Sequence, residues 1–270
     1  MQLYSLDHPN QWIILMPSFS GLPNILILGG TADGRILANR LAATGHFDVT
    51  LSLAGRTEHP AQPDDAVQLR RGGFGGATGL ADWVRTHNID LLIDATHPFA
   101  ANITTHAAQA AQQTGIPGFA IRRLAWEKQD GDCWHSAQNM TEATGLLGDT
   151  PRRVLLAIGR QEIAAFAKAP HHHYVIRSVD PVSLPASLQN AICITARGPF
   201  DVVQETNLLC DHRIGVIVCK NSGGTATYGK IAAARALGID VIMIERPKTN
   251  GLATVSTIED ALRRIDGVLG

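Results

Sequence analysis

Two hydrophobic periods alternate along most of this chain. Short runs of consecutive apolar residues, such as Ile25-Leu26-Ile27-Leu28, give way to stretches where apolar residues return every three or four positions, as from Arg35 to Thr44. The first pattern belongs to a strand buried on both faces and the second to a helix that covers it. In the first half, strands are predicted at Ile25–Leu28, Asp48–Leu53, Val67–Arg70, Ile89–Ala95 and Gly118–Ile121. Helices are predicted after the first, third and fourth of these, the last an alanine-rich one running to Gln113. In the second half, strands are predicted at Val154–Ile158, His173–Ile176, Ile192–Thr195, Ile214–Cys219 and Val241–Ile244, and helices at 161–168, 199–210, 225–238 and 257–265. Such alternation predicts an α/β protein with parallel sheets covered by helices on both faces. The stretch from 127 to 152 is rich in Asp, Gly and Thr and carries only a helix-like segment from Ser136 to Leu147. It divides the chain into a first unit over 24–130 and a second over 150–270, with residues 1–23 expected to be a poorly ordered N-terminal extension.

Composition narrows the functional classes. The 270 residues are 45% hydrophobic and 17% charged with a formal net charge of -1, so no global basic field points to nucleic acid or an anionic membrane. No apolar run approaches the ~20 residues of a membrane span. The apolar segment Trp12–Met16 follows Asp7 and His8 rather than a basic region, unlike a secretory signal. Four widely spaced cysteines without a C-x-x-C pair read as thiols in a reducing cytoplasm. His171-His172-His173 enters a strand, where side chains alternate between faces, so the three cannot share one ion and no metal site is expected.

The candidate chemistry sits where strands end. Leu28 runs into Gly29-Gly30-Thr31-Ala32-Asp33-Gly34, a glycine turn opening a helix. Such a turn either presents N–H groups to a pyrophosphate or merely makes a tight strand-to-helix connection. The next strand ends at Gly55-Arg56-Thr57, where a guanidinium and a hydroxyl suit the 2′-phosphate of NADPH rather than NADH; an exposed loop arginine is the alternative. The loop Gly72-Gly73-Phe74-Gly75-Gly76 offers mobile or closely approached backbone and an aromatic ring available to stack. Thr96 and His97 follow the fourth strand, and His97 reads either as a catalytic group or as a turn histidine bonded to nearby backbone. In the second half every predicted strand is followed by a cation: Arg160, Arg177, Arg197, Lys220 and Arg246. Strand ends of a parallel sheet share one edge, so this row predicts a mouth for a polyanionic ligand, phosphate or carboxylate. Lys220-Asn221-Ser222-Gly223-Gly224-Thr225-Ala226-Thr227 adds a second anion cradle, without the spacing of a Walker loop.

Taken together, Leu28-Gly29-Gly30-Thr31, Gly55-Arg56-Thr57, the Gly72–Gly76 loop, Asp94-Ala95-Thr96-His97-Pro98-Phe99-Ala100, Arg197-Gly198-Pro199-Phe200, Lys220–Gly224 and Glu245-Arg246-Pro247 resemble the precorrin-6A reductases. These are the NADPH-dependent reductases of cobalamin biosynthesis, and the similarity spans about residues 24 to 247. The resemblance implies two Rossmann-like halves with the active site in the cleft between them and an exchange of a strand, which spacing does not derive. It implies that Gly29, Gly30, Thr31 and Asp33 hold the pyrophosphate and ribose, that Arg56 and Thr57 face the 2′-phosphate, and that Gly73, Phe74, Gly75, Thr96 and His97 flank the nicotinamide. Arg123, Arg177, Arg197, Lys220, Asn221, Ser222, Gly223 and Thr227 would hold the carboxylates of a tetrapyrrole, with His97 and Lys220 as proton donors or polarisers. Asp33-Gly34 departs from the Glu-Ala common in the family after this turn. A cobalt-bound substrate, and a non-catalytic dinucleotide sensor, remain as alternatives, and the implied partners extend to other enzymes of the same pathway.

Overall fold

The computed structural model describes residues 21–55, 60–249 and 251–270. Arg56 and Thr57, and all but the last three residues of the expected N-terminal extension, lie outside them. In chain order the elements of the first half are β1 (Asn24–Leu28), α1 (Ala32–Ala43), β2 (Asp48–Leu53), β3 (Gln68–Arg71), α2 (Gly76–Thr86), β4 (Leu91–Asp94), α3 (Ala101–Thr114) and β5 (Gly118–Ile121). There follow β6 (Trp134–Ala137), α4 (Met140–Gly145), β7 (Arg153–Ala157), a 3-10 helix (Arg160–Lys168), β8 (His173–Ser178), β9 (Ile192–Thr195), α5 (Val202–Asp211), β10 (Val216–Lys220), α6 (Gly229–Leu237), β11 (Asp240–Ile244), β12 (Thr254–Val255) and α7 (Ile258–Leu269). Among the described residues no helix is long and apolar enough to cross a membrane.

Local chemistry accounts for the boundaries. The Thr31, Asn139, Asp201 and Thr257 side chains each accept from a backbone N–H in the first turn of α1, α4, α5 and α7, and Asp201 does so in a reciprocal capping box with Gln204. The helix expected over 136–147 is corrected. Its first residues pair as the edge strand β6, and the helix proper begins only after the Asn139 cap. Of the four β6 residues only Ala137 is buried, so an apolar count had little strand signal to detect.

All the paired strands are parallel, in two sheets of six with orders β12-β5-β4-β1-β2-β3 and β6-β11-β10-β7-β8-β9. Each sheet is a doubly wound α/β layer whose order reverses once, between β1 and β4 in the first and between β7 and β10 in the second. At such a switch point the loops leaving the two strands diverge and open a crevice at the carboxyl edge. The sixth place of each sheet is filled by the chain on its way to or from the other: β6 follows β5 but joins β11, and β12 follows β11 but joins β5. The strand order therefore does not follow the division at 130 and 150. Apolar periodicity reports that a face is buried, not which sheet buries it. Ala261 and Ile265 of α7 are fully buried with Ile25, Ile27, Leu91 and Phe119, in the core of the first sheet.

This packing predicts where a cavity in the last helix will be felt. Ile265→Ala should destabilise the protein by about 2–5 kcal/mol. Amide hydrogen exchange should quicken in β1 and β4 while β7 and β10 keep their protection. Faster exchange confined to β10 and β11 would contradict the assignment of α7 to the first sheet.

Candidate active site

The first crevice is built by the glycine turn. Gly29 N–H donates to Ser52 O at 2.8 Å, and a Cβ there would sit 2.6 Å from Leu51 Cδ1. Gly30 adopts a φ of 121°, which an L side chain rarely tolerates. The Thr31 hydroxyl accepts from Gly34 N–H at 3.2 Å and donates to Ala95 O at 2.8 Å, which ties the end of β1 to the end of β4. A Cβ on Gly34 would lie 3.1 Å from that of Ala95, so α1 packs directly on the strand. The turn thus lies flat against the sheet and points the free N–H groups of α1 along the carboxyl edge, an arrangement that fits a dinucleotide pyrophosphate.

Other residues expected at this crevice have partners of their own. Arg123 Nε donates to Asp33 Oδ2 at 2.5 Å, so a group assigned to cofactor and one assigned to substrate hold each other. Arg70 donates to Ser52 Oγ, Gly72 O and Gly73 O at 3.1, 2.6 and 2.9 Å, and its guanidinium carbon lies 3.6 Å from the centroid of the Phe74 ring. The loop from Gly72 to Gly76 is therefore clamped from within, and one face of Phe74 is covered; Gly75 serves as the cap of α2. Asp94 is fully buried and accepts from Thr96 N–H at 3.0 Å, from Thr96 Oγ1 at 2.6 Å and from Thr104 Oγ1 at 2.8 Å, and it pairs with Arg122. Thr96 thereby belongs to the buried support of the strand end.

His97 bridges the two sheets. Its Nδ1 accepts from Phe99 N–H at 3.3 Å, which leaves the proton on Nε2, 3.1 Å from Ser222 Oγ. The ring is thus bonded locally, as a turn histidine would be, and also reaches the facing loop. Burial first, and then the charges of Lys220, Arg123, Arg246 and Arg122, push its pKa down to about 4. At neutral pH the imidazole is uncharged, so its role as a proton donor narrows to donating a hydrogen bond.

The second crevice, at the switch point of the other sheet, is a cleft of about 440 Å³ whose lining includes His97 and Phe99 from the first sheet and Arg160, Arg177, Lys220 and Ser222 from the second. Of the cation row, three members reach it. Arg177 lies over the Phe200 ring at 4.0 Å and pairs with Glu205 of α5 at 2.5 Å, both side chains being buried. Lys220 pairs with Glu162 at 2.5 Å and lies 5.1 Å from the centroid of Phe99. Arg197 is not among the lining residues, and Arg246 is spent on main chain, donating to Asn221 O, Arg123 O and Ser222 O at 2.8, 2.7 and 3.0 Å. Asn221 is likewise turned away, with Oδ1 accepting from Trp126 N–H at 2.8 Å and Nδ2 donating to Trp126 O at 2.9 Å. A Cβ on Gly223 would stand 2.1 Å from Leu124 O. These residues hold the segment that crosses between the sheets; a polar group after a strand can serve backbone as readily as ligand, and spacing does not separate the two. Ser222 and Thr227 do line the cleft. So does Lys230, to which the sequence analysis assigns no role. It is only 4% exposed, and Nζ donates to Thr227 O at 2.6 Å.

A glycine-turn sheet facing a cation-lined one across a bridging histidine defines an α/β protein of two Rossmann-like sheets. Within that class the chain belongs to the family of precorrin-6x reductase CbiJ/CobK, whose family model matches residues 24–266. It is similar to the precorrin-6A reductase of Sinorhizobium sp., with 55% identity over 244 residues, covering 90% of this chain and 92% of that protein. It is also 48% identical to the precorrin-6A reductase of Rhodococcus erythropolis over 228 residues, covering 84% and 90% of the two chains. A solved structure described as CobK precorrin-6A reductase aligns with a TM-score of 0.86 at 38% identity, over 92% of this chain and 98% of that one.

The depressed His97 has a consequence for stability. In the unfolded chain the ring takes up its proton near pH 6.5, and in the folded protein only near 4, so the folded state loses ground as pH falls through that window. A shift of that size corresponds to about 3 kcal/mol. In urea titrations between pH 7 and 4, His97→Asn should lose correspondingly less stability than the wild type; equal losses would show that the ring titrates normally.

Proposed function

We propose that this chain reduces precorrin-6A with NADPH, adding a hydride to one carbon of the conjugated, ring-contracted tetrapyrrole, in the cytoplasm. What supports the reading most directly is the cleft at the second switch point, whose lining brings Arg160, Arg177 and Lys220 together with His97 from the loop after β4 of the first sheet. A ligand edged with acetate and propionate arms needs several cations fixed around one cavity, and guanidinium groups grip carboxylates in bidentate fashion. Membership of the reductase family and the names of its similar relatives point the same way.

The glycine turn is the place for the dinucleotide. Gly29, Gly30 and Thr31 would receive the pyrophosphate at the start of α1, and Arg56 and Thr57, from their position in the sequence after β2, would receive the 2′-phosphate. When bound, the reduced nicotinamide supplies the hydride, so the protein's own work is placement and electrostatics. Arg177 and Lys220 are held in place by Glu205 and Glu162, which fixes their charge before the ligand arrives. Positive charge at this wall favours the extra electron density of the reduced macrocycle. Ser222, oriented by the neutral His97, offers a hydroxyl at the junction of the two crevices. Precorrin-6A without cobalt is the preferred substrate in this reading, because the similar relatives at 55% and 48% identity carry that name.

The direct test is oxidation of NADPH by the purified protein given precorrin-6A, with and without cobalt; failure to oxidise it with either would overturn the reading. Lys220→Ala should raise the KM for the tetrapyrrole about tenfold or more while leaving NADPH affinity unchanged, measured by steady-state kinetics and calorimetry. Arg56→Ala should raise the KM for NADPH far more than that for NADH, and equal effects would remove the 2′-phosphate assignment.

A further inference from the structure

Adding a hydride to a conjugated system leaves a displaced electron pair that must take up a proton. Neither of the donors expected from the sequence is well suited to supply it. His97 is uncharged near neutrality, and Lys220 shares its ammonium with Glu162. A third titratable group lines the same cleft. Lys230 enters from the first turn of α6, 4% exposed, with one hydrogen bond to Thr227 O at 2.6 Å and its ammonium 4.7 Å from the centroid of the Trp126 ring. An ammonium has three donors, and a carbonyl and an aromatic face occupy two of its sides.

The charged surroundings of Lys230 are mixed. Arg177 faces it from the end of β8, Glu205 from α5 and Cys219 from β10. Glu205 engages Arg177 through Oε1, while its Oε2 is buried without a hydrogen-bond partner. A buried carboxylate oxygen left without a partner is costly unless the site has a use for it. Burial, with the Arg177 charge acting in the same direction and Glu205 against it, lowers the lysine below its ordinary value of 10.5 and makes it a readier donor.

Resting on the reading of this chain as a precorrin-6A reductase, the geometry points to Lys230 as the general acid of the reduction. The hydride forms one C–H bond on the macrocycle, the π pair it displaces moves to a conjugated neighbour, and that atom takes a proton from Nζ. The N–H bond breaks, the lysine is left as a neutral amine, and it is reprotonated from solvent, so that one hydride and one proton are added in each turnover. Glu205 is a positioning residue that keeps positive charge at the floor of the cleft.

The test is single-turnover oxidation of NADPH by precorrin-6A across pH 6 to 10, in the wild type and in Lys230→Met and Lys230→Arg. The wild-type rate should fall on the alkaline side as the lysine loses its proton. Lys230→Met should slow the step about 100-fold or more and abolish that limb, with the Kd for the tetrapyrrole within fivefold. Lys230→Arg keeps the charge but holds its proton too tightly, and should be slowed comparably. A Lys230→Arg enzyme with the wild-type rate and pH profile would overturn the role, as would a folded Lys230→Met enzyme at full rate. Should the Met variant not fold, a wild-type rate that stays flat to pH 10 overturns it equally. If the wild type fails to oxidise NADPH at all, the substrate reading and this role fall together; normal wild-type turnover with unaltered variants removes only the role.

Discussion

The geometry of both crevices depends on how the polypeptide is held where it crosses from one sheet to the other. Backbone groups there lie outside any strand ladder, and each buried one needs a partner. Asn221 supplies both a donor and an acceptor to Trp126, and the Arg246 guanidinium collects three carbonyls from the outgoing segment and the facing loop. On the other side, Arg122, just after β5, pairs with the buried carboxylate of Asp94 and donates to its carbonyl, tying the end of β5 to the end of β4. Removing one partner of such a pair strands a charge in a dry interior, which generally costs about 3–5 kcal/mol.

The braces also explain a feature of the electrostatics. The cleft is cationic in sequence but closely compensated in space, because Glu162 and Glu205 come from helices that the strand-end row does not include. Fixed partners hold long side chains in one arrangement and spare the ligand the entropy of ordering them. What remains for a polyanion is a wall whose charges are already aimed.

Much of this was legible in the chain. Consecutive apolar residues marked β1, β2, β4, β7, β10 and β11, since strands covered on both faces have little choice of composition. Glycines at 29 and 30 marked the turn at the first switch point, and from the Lys220–Thr227 stretch Lys220, Ser222 and Thr227 line the cleft at the second. The two-residue β12 and the mostly exposed β6 carried too little apolar pattern to reveal which sheet they join. Side-chain roles were the least visible part. Arg246 and Asn221 look like ligand-binding residues by type, and only the fold turns them toward the main chain; the burial of Lys230 against Trp126 likewise comes from packing that spacing does not report.

The exchange of edge strands bears on how the protein is made. The first sheet opens with β1 at residue 24, yet one of its two edge strands and the helix sealing one side of its core lie in residues 251–270. During synthesis that layer must wait, with β5 unpaired along one margin and a greasy flank open, until residues 251–270 have been made. The second layer meets no such delay, because its borrowed strand β6 is translated before the rest of it. Assembly of the nascent chain should thus finish where it started, at the glycine turn's own sheet.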